Sequence, residues 1–220
     1  MLGFVSSFLF SNNCYLCSKN IGNKKYLCDK CFEKLEKYKY ESNYKSIKKY
    51  DKNNLEFLFL FEYKKYIRKL ILNYKFKDKS YIGKVFAEYI NRNKYCCLKL
   101  KSYDIIIPVP MSIKNKLLRG YNQTEIISED ISKSLKIKLI KDGIKKIKKT
   151  KRQSSLTREE RLLNVKNAYK INENYLSYFE NKSIIIFDDI YTTGATIDEC
   201  IKLFLKLNVK KILILILAKD

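Results

Sequence analysis

Apolar positions along the chain follow two patterns, one with the period of a strand and one with the period of a helix. Short runs of consecutive apolar residues predict buried strands, and apolar residues three or four positions apart predict amphipathic helices. Residues 33–54 follow neither pattern and are interpreted as a connector with a short helix. The predicted strands are Leu55–Glu62, a run within Tyr103–Pro110, Ile137–Ile140, Asn167–Ile171, Ile184–Phe187 and Lys211–Leu217, and the predicted helices are Ile67–Tyr74, Ile82–Tyr95 and Thr196–Leu207.

The stretch Ile184–Thr196 combines a strand, a polar turn and a helix start. Its apolar run ends in Asp188 and Asp189, and a Thr/Gly turn then leads into the helix. Threonine hydroxyls, a glycine that admits close backbone approach and the free N–H groups of a helix start together suit a phosphate. The carboxylates suit ribose hydroxyls or the water shell of a magnesium ion. A sugar phosphate would suit both the carboxylates and the threonine turn. The simplest alternative is a strand-to-helix connection whose polar residues only cap the helix.

These thirteen residues resemble the phosphoribosyl-pyrophosphate (PRPP) signature of type I phosphoribosyltransferases. The resemblance implies that Asp188 and Asp189 hold the ribose 2′ and 3′ hydroxyls and form the catalytic pair. It implies that the turn binds the 5′-phosphate through Thr192, Thr193, Gly194, Ala195 and Thr196.

Four cysteines near the N-terminus form two C-x-x-C pairs, Cys14/Cys17 and Cys28/Cys31. Two such pairs at this separation can place four thiolates around one tetrahedral ion, which predicts a structural zinc site with no open coordination position. A redox C-x-x-C motif or a pair of disulfides are the alternatives. The absence of a secretory signal argues against disulfides.

The composition changes this picture in three ways. The formal net charge is +23, which favours acidic partners such as nucleic acid, although joint enrichment in Lys, Ile, Asn and Tyr is also what an AT-rich genome produces. The absence of histidine excludes Ser-His-Asp and Cys-His catalysis and mixed Cys/His metal sites. The apolar residues 1–10 lack a basic leader, and no apolar run reaches membrane-spanning length, so a cytoplasmic protein is predicted.

Two further segments carry charges or rigid turns suited to a pyrophosphate. A strand stopped by Pro108 and Pro110 predicts a rigid loop at its carboxyl end, where parallel α/β sheets bind ligands. Arg119 follows nine residues after Pro110, and its forked donors suit either phosphate or an exposed helix end. The basic run 141–161 is interpreted either as a solvated loop or as a flexible lid over pyrophosphate. The lid residues named by this hypothesis are Lys145, Lys146, Lys148, Lys149, Lys151 and Arg152, with Lys148, Lys149, Lys151 and Arg152 as its flexible part.

Together these features resemble the ComF family of phosphoribosyltransferase-like proteins linked to bacterial DNA uptake. The resemblance covers nearly the whole chain. It implies an α/β fold in which a type I phosphoribosyltransferase core, with a five-stranded, mainly parallel sheet flanked by helices, carries a small N-terminal zinc-binding module with four cysteine ligands. Residues 1–50 would form the zinc-ribbon-like module and connector, and residues 51–220 the core. The motifs shared with the family are the two cysteine pairs, Pro108-Val109-Pro110, Arg119-Gly-Tyr-Asn-Gln123, Gln153 with Arg161 and Asn164, and Asp188–Thr196.

The resemblance implies PRPP binding with magnesium, with Pro108, Val109, Pro110 and Arg119 at the pyrophosphate. Purine-salvage phosphoribosyltransferases have an Asp where this chain has Thr192, so the usual group facing the nucleobase is missing. Two hypotheses remain. One is transfer of phosphoribosyl to an unidentified nucleophile, and the other is a non-catalytic PRPP or nucleotide sensor that binds single-stranded DNA or a helicase-like partner of the competence machinery.

Overall fold

The helices and strands follow the order expected of an α/β domain in the computed structural model, which describes residues 13–22, 26–41, 54–76, 79–112, 116–118, 120–148, 150 and 157–220. The strands are β1 Leu55–Glu62, β2 Ile105–Pro108, β3 Lys138–Leu139, β4 Ile144–Lys146, β5 Tyr169–Ile171, β6 Ser183–Tyr191 and β7 Lys211–Lys219. The helices are α1 Asp29–Glu36, α2 Lys65–Phe76, α3 Tyr81–Arg92, α4 Lys94–Lys101, α5 Gln123–Leu135, α6 Arg158–Val165, α7 Leu176–Phe179 and α8 Ala195–Phe204. A 3-10 turn covers Glu173–Tyr175.

Five of the strands form one parallel sheet in the order β1-β7-β6-β2-β3. Strand β6 lies between β7 and β2, with Ile185 opposite Leu213 on one side and Ile106 on the other. Strands β4 and β5 form a separate antiparallel pair. The predicted α/β fold with a five-stranded parallel sheet flanked by helices is confirmed.

Both faces of the sheet are buried, which explains why its strands consist of uninterrupted apolar residues. Successive strand residues point to opposite faces. Ile185 and Phe187 therefore pack with α2, α3 and α5 in one core, while Ile184 and Ile186 pack with α8 and the β4–β5 pair in a second core.

Most elements differ by a few residues from their predicted bounds, and three of the differences have a clear structural cause. Strand β6 continues past Phe187 to Tyr191, because β7 is long enough to pair with the polar residues as well. The single helix predicted over Ile82–Tyr95 is two helices. Asn93 breaks it by leaving the helical conformation and accepting a hydrogen bond from the Cys96 amide at 3.0 Å. The connector helix starts earlier than predicted, at Asp29, because the Cys28 side chain caps its first turn.

The cysteine-containing segment packs directly on α3. Tyr15 contacts Tyr81 edge to face with ring centres 5.5 Å apart, and the Arg92 guanidinium donates to the Leu27 carbonyl at 2.8 Å. Cys14 and Cys28 belong to the same apolar core as α2 and α3. The predicted domain boundary between residues 50 and 51 lies outside the described residues, and the division into 1–50 and 51–220 stays a prediction.

Helix α5 begins against the loop that follows β2. Asn122 is its N-cap and accepts from the Thr124 amide at 3.3 Å, and its own amide group donates to the Val109 carbonyl at 3.4 Å. The Thr124 hydroxyl donates to the same carbonyl at 2.9 Å. The helix start therefore fixes the loop between Pro108 and Pro110 in place.

We expect Asn122→Ala to lower the free energy of unfolding by about 1–2 kcal/mol, because it removes both the helix cap and a donor to Val109. Urea denaturation measures the difference. Ser80→Ala is the matched control, since Ser80 is the N-cap of α3 but makes no side-chain cap hydrogen bond; its effect should stay within about 0.5 kcal/mol. Equal losses in the two variants would contradict the assigned role of Asn122.

Candidate functional site

Asp188 and Asp189 lie near the carboxyl end of β6, and their side chains leave opposite faces of the sheet because they are consecutive strand residues. The Asp189 amide donates to the Asp188 carboxylate at 2.8 Å. The Asp189 carboxylate forms an ion pair with Lys75 of α2, with 2.5 Å between Nζ and Oδ2. The two acids are thus held by the paired part of the strand, ahead of the threonine turn.

Burial raises the pKa of Asp188 to about 7, and the neighbouring Asp189 carboxylate contributes to that rise. The Asp189 amide and the ammonium groups of Lys75 and Lys146 oppose it. Lys146 comes from β4 on the second face of the sheet, and burial lowers its own pKa while Asp188 raises it. A carboxyl group that is half protonated near neutral pH gains a favourable partner when a cation or a ligand hydroxyl arrives.

The turn after β6 brings the predicted phosphate-binding residues together. Gly194 has φ +78° and is the N-cap of α8, without a side-chain cap hydrogen bond. The positive φ favours glycine at this position, and an added Cβ atom would also meet the Tyr191 hydroxyl. The Thr193 hydroxyl accepts from the Ala195 amide at 3.4 Å. Asp188 and residues 190–197 line one shallow cavity, so the acid and the threonine turn share a site.

Tyr169 of β5 also reaches this turn, and the sequence analysis did not identify it. Its hydroxyl forms a hydrogen bond with the Thr196 side chain, and burial raises the pKa of the phenol. The Lys146 ammonium lies 5.3 Å from the centre of the Tyr169 ring. The β4–β5 pair therefore contacts the threonine turn at Thr196.

The Pro108–Pro110 loop lies beside the end of β6. Pro108 is opposite Phe187 in the sheet, and the Val109 amide donates to the Phe187 carbonyl at 2.9 Å. The loop therefore reaches the edge of the sheet that carries the two acids, as its sequence predicted.

The cationic residues predicted around a pyrophosphate are only partly covered by the structure. Lys145 and Lys146 lie in strand β4, where they pair with Lys170 and Tyr169 of β5, so the prediction that they belong to a loop is wrong. Lys148 is exposed and follows β4. Arg119, Lys149, Lys151 and Arg152 lie outside the described residues. The lid hypothesis and the pyrophosphate role of Arg119 stay predictions.

The four cysteines of the two C-x-x-C pairs form one cluster. The sulfur atoms of Cys14, Cys17, Cys28 and Cys31 lie within 4.8 Å of one another, and none of the four is in a disulfide. Cys17 is exposed, while the other three are buried. The Cys17 and Cys28 sulfurs are 3.8 Å apart. Tetrahedral zinc with Zn–S bonds of about 2.3 Å requires sulfur separations of about 3.8 Å, so the cluster has the size of such a site.

The electrostatics of the cluster also favour a cation. Burial opposes ionisation of Cys14, but hydrogen bonds from backbone amides and the Cys17 thiol lower its pKa to about 7. Burial and the neighbouring thiols raise the pKa of Cys31. Several thiolates cannot share this space without a compensating charge, whereas a divalent ion would stabilise all of them. The donor set therefore fits zinc.

A comparison with known proteins finds relatives that are named competence proteins or DNA utilization proteins. The chain is 32% identical over 155 residues to competence protein F of Haemophilus influenzae, an alignment that covers 68% of this chain and 66% of that protein. The chain belongs to the ComF family.

Other relatives align over similar lengths. Competence protein ComFC of Streptococcus pneumoniae is 27% identical over 153 residues, which cover 70% of this chain and 63% of that protein. DNA utilization protein YhgH of Escherichia coli is 27% identical over 142 residues, which cover 62% of this chain and 60% of the relative. The matches thus span about 60–66% of the length of these ComF-family relatives. No protein-family model matches the chain.

Within the described part of the chain, no helix has both the length and the apolar character needed to cross a bilayer.

We expect the purified protein to contain about one zinc ion per chain, because four thiols at this spacing complete a tetrahedral shell. Elemental analysis of protein prepared without chelators measures the content. Cys31→Ser should lose most of the metal and melt at a lower temperature, since structural zinc binds with a free energy of about 10 kcal/mol or more. Cys97→Ser is the control, because Cys97 lies outside the cluster. Zinc-free protein of unchanged stability would contradict the assignment.

A second expectation concerns pH in the absence of ligands and divalent cations. The pKa of Asp188 is about 7 in the folded protein against an ordinary value of 3.8. The folded state therefore retains a proton that the unfolded state releases, and the acid destabilises the fold increasingly as pH rises from about 4 to about 7. Asp188→Asn should be close to neutral at pH 4 and should stabilise the fold at pH 8, by at most about 4 kcal/mol.

Urea denaturation at both pH values measures this difference. Asp189→Asn is the informative comparison, since it leaves the Lys75 ammonium without its partner and should destabilise the protein at pH 8. If Asp188→Asn stabilised the protein equally at both pH values, ionisation of Asp188 would not be the cause of the destabilisation.

Proposed function

We propose that the chain binds PRPP, with magnesium, in the cavity at the carboxyl end of β6. The observation that carries this proposal is the convergence of Asp188 with the Gly194 turn and the start of α8 around one cavity. The helix start supplies N–H donors and a positive end for a phosphate. The carboxylates supply acceptors for ribose hydroxyls.

The names of the relatives support a role in DNA uptake. They are called competence proteins or DNA utilization proteins, and the chain shares their family. We infer that this chain contributes to the uptake or use of DNA and that its sugar-phosphate site serves that process. A component of the competence machinery is the corresponding partner.

The reaction proposed for this site is transfer of the phosphoribosyl group to a nucleophile. Bound magnesium would neutralise charge on the departing pyrophosphate. Asp188 and Asp189 would orient the ribose, and the Gly194 turn would hold the 5′-phosphate while the bond at carbon 1 breaks. Thr192 is exposed and has no carboxylate to take a proton from an incoming base. The reaction therefore suits an acceptor that is already deprotonated or is an amine.

The missing carboxylate at position 192 also supports a second function, which is sensing without turnover. In this alternative PRPP or a nucleotide occupies the same cavity and regulates contact with single-stranded DNA or a helicase-like partner. The net charge of +23 favours an anionic polymer as that partner. Release of pyrophosphate in the presence of candidate acceptors separates the two functions.

We expect PRPP with magnesium to raise the melting temperature of the protein, since a ligand at a hundredfold excess over its dissociation constant adds about 2.7 kcal/mol of stability. Asp189→Asn should weaken PRPP binding but leave ribose-free phosphate binding nearly unchanged. Gly194→Ala should weaken both, because its Cβ meets the Tyr191 hydroxyl in the phosphate turn. Thr196→Val should also weaken both.

The matched control is Gly22→Ala, which replaces another glycine with positive φ but has no neighbour within 4 Å of the added Cβ. This variant should bind PRPP as the wild type does. A melting curve that millimolar PRPP and magnesium leave unchanged would remove the proposed function.

A further inference from the structure

Lys75 and Asp189 form an ion pair in which both side chains are largely buried. The Lys75 side chain is 16% exposed and its partner Asp189 is 15% exposed. The Lys202–Glu199 pair has the same 2.5 Å separation, but its lysine is 63% exposed. Withdrawing an ammonium and a carboxylate from water costs free energy, which a pair at this distance repays only in part. The position therefore calls for an explanation beyond surface charge pairing.

The surrounding contacts fix Lys75 at this place. Its neighbour Tyr74 is buried and donates from its hydroxyl to the Gln123 carbonyl at 2.8 Å. The Tyr121 hydroxyl donates to the Tyr74 carbonyl. Gly83 of α3 leaves room for the Tyr74 ring, since a Cβ there would lie 2.6 Å from the Tyr74 hydroxyl. The end of α2 is thus tied to the start of α5, and Lys75 is directed at the acidic end of β6.

A lysine in the last turn of a helix commonly interacts with the helix dipole from the surface. Lys75 instead reaches a carboxylate on the central sheet. An ammonium has three donors, and the pair with Asp189 requires one of them. The Asp189 carboxylate likewise retains acceptor positions for a ribose hydroxyl. One lysine can therefore hold the acid and donate to a second anion at the same time.

We propose that Lys75 is a ligand-binding residue of this site, which neutralises Asp189 in the ligand-free protein and donates to the pyrophosphate of PRPP when the ligand binds. This inference rests on the proposed function. Two carboxylates alone would repel a polyanion, and the ammonium reduces that repulsion at the acid with which it pairs. The ammonium also competes with magnesium for Asp189, because both are cations seeking the same oxygen atoms.

The two roles predict effects of opposite sign for one substitution. Lys75→Met keeps most of the length of the side chain and removes its charge. Binding of magnesium alone should become several-fold tighter, since the competing cation is gone. Binding of PRPP should weaken by about tenfold or more, the usual effect of losing a hydrogen bond to a charged group. Binding of ribose 5-phosphate, which lacks the pyrophosphate, should change by less than about threefold, because its phosphate belongs to the Gly194 turn.

Isothermal titration of the full chain with magnesium, PRPP and ribose 5-phosphate measures all three effects. Lys75→Arg should recover most of the PRPP affinity. Lys202→Met is the control for loss of an exposed lysine from an ion pair of equal length. Circular dichroism melting confirms that each variant is folded. Loss of affinity for all three ligands in Lys75→Met, or no change for PRPP, would overturn the role of Lys75 alone. Failure of the wild type to bind PRPP would overturn the proposed function together with this inference.

Discussion

The pairing of β6 between β7 and β2 is the constraint on which the rest of the structure depends. The apolar residues of β6 are buried on both faces of the sheet. Polar residues follow only at the carboxyl end of the strand. Asp188 and Asp189 lie near that carboxyl end, and because strand side chains alternate, one acid points to each face of the sheet. Each face then supplies one lysine, Lys75 from α2 and Lys146 from β4.

This arrangement links the two cores to one site. Helix α2 belongs to the core that also contains Cys14 and Cys28, and the β4–β5 pair belongs to the core on the opposite face. The cysteine cluster is therefore connected to the acidic pair through packed helices. A zinc ion in the cluster would stabilise the segment against which α3 and, through it, α2 pack. A zinc-loaded cluster would thus help to hold Lys75 in position through these helices, although none of its cysteines lines the cavity at the end of β6.

Much of this fold is predictable because its signals are local. The strand Leu55–Glu62 has the bounds that its apolar run predicted, and the two C-x-x-C pairs form the cluster that their spacing predicted.

Local signals fail where a pairing partner elsewhere in the chain determines where an element ends. Strand β6 extends through polar residues because β7 pairs with them, and Asn93 interrupts a continuous helical pattern through a side-chain cap that resembles an ordinary polar position. Lys75 was not recognised for a similar reason, since the chain has 46 Lys and Arg residues and residue type alone does not distinguish this lysine. Lys146 was predicted as a lid cation, but its place in a strand beside Asp188 was not predicted. The acids and the threonine turn were recognisable because one continuous stretch contains them, whereas their counterions come from elements that only the tertiary fold brings close.

The raised pKa of Asp188 means that ionising this carboxyl group costs free energy in the ligand-free protein. Two adjacent carboxylates at a buried strand end are unfavourable in the ionised state, and two lysines offset only part of that cost, since the pKa of Asp188 still lies near 7. Ionised Asp188 therefore lowers stability at this strand end, where cations or hydroxyl groups from a ligand would interact favourably with the carboxyl groups. A ligand that supplies such groups recovers this free energy on binding and draws Asp188 into its ionised form. Occupancy of the site by such a ligand would therefore stabilise the junction of β6, α2 and the β4–β5 pair.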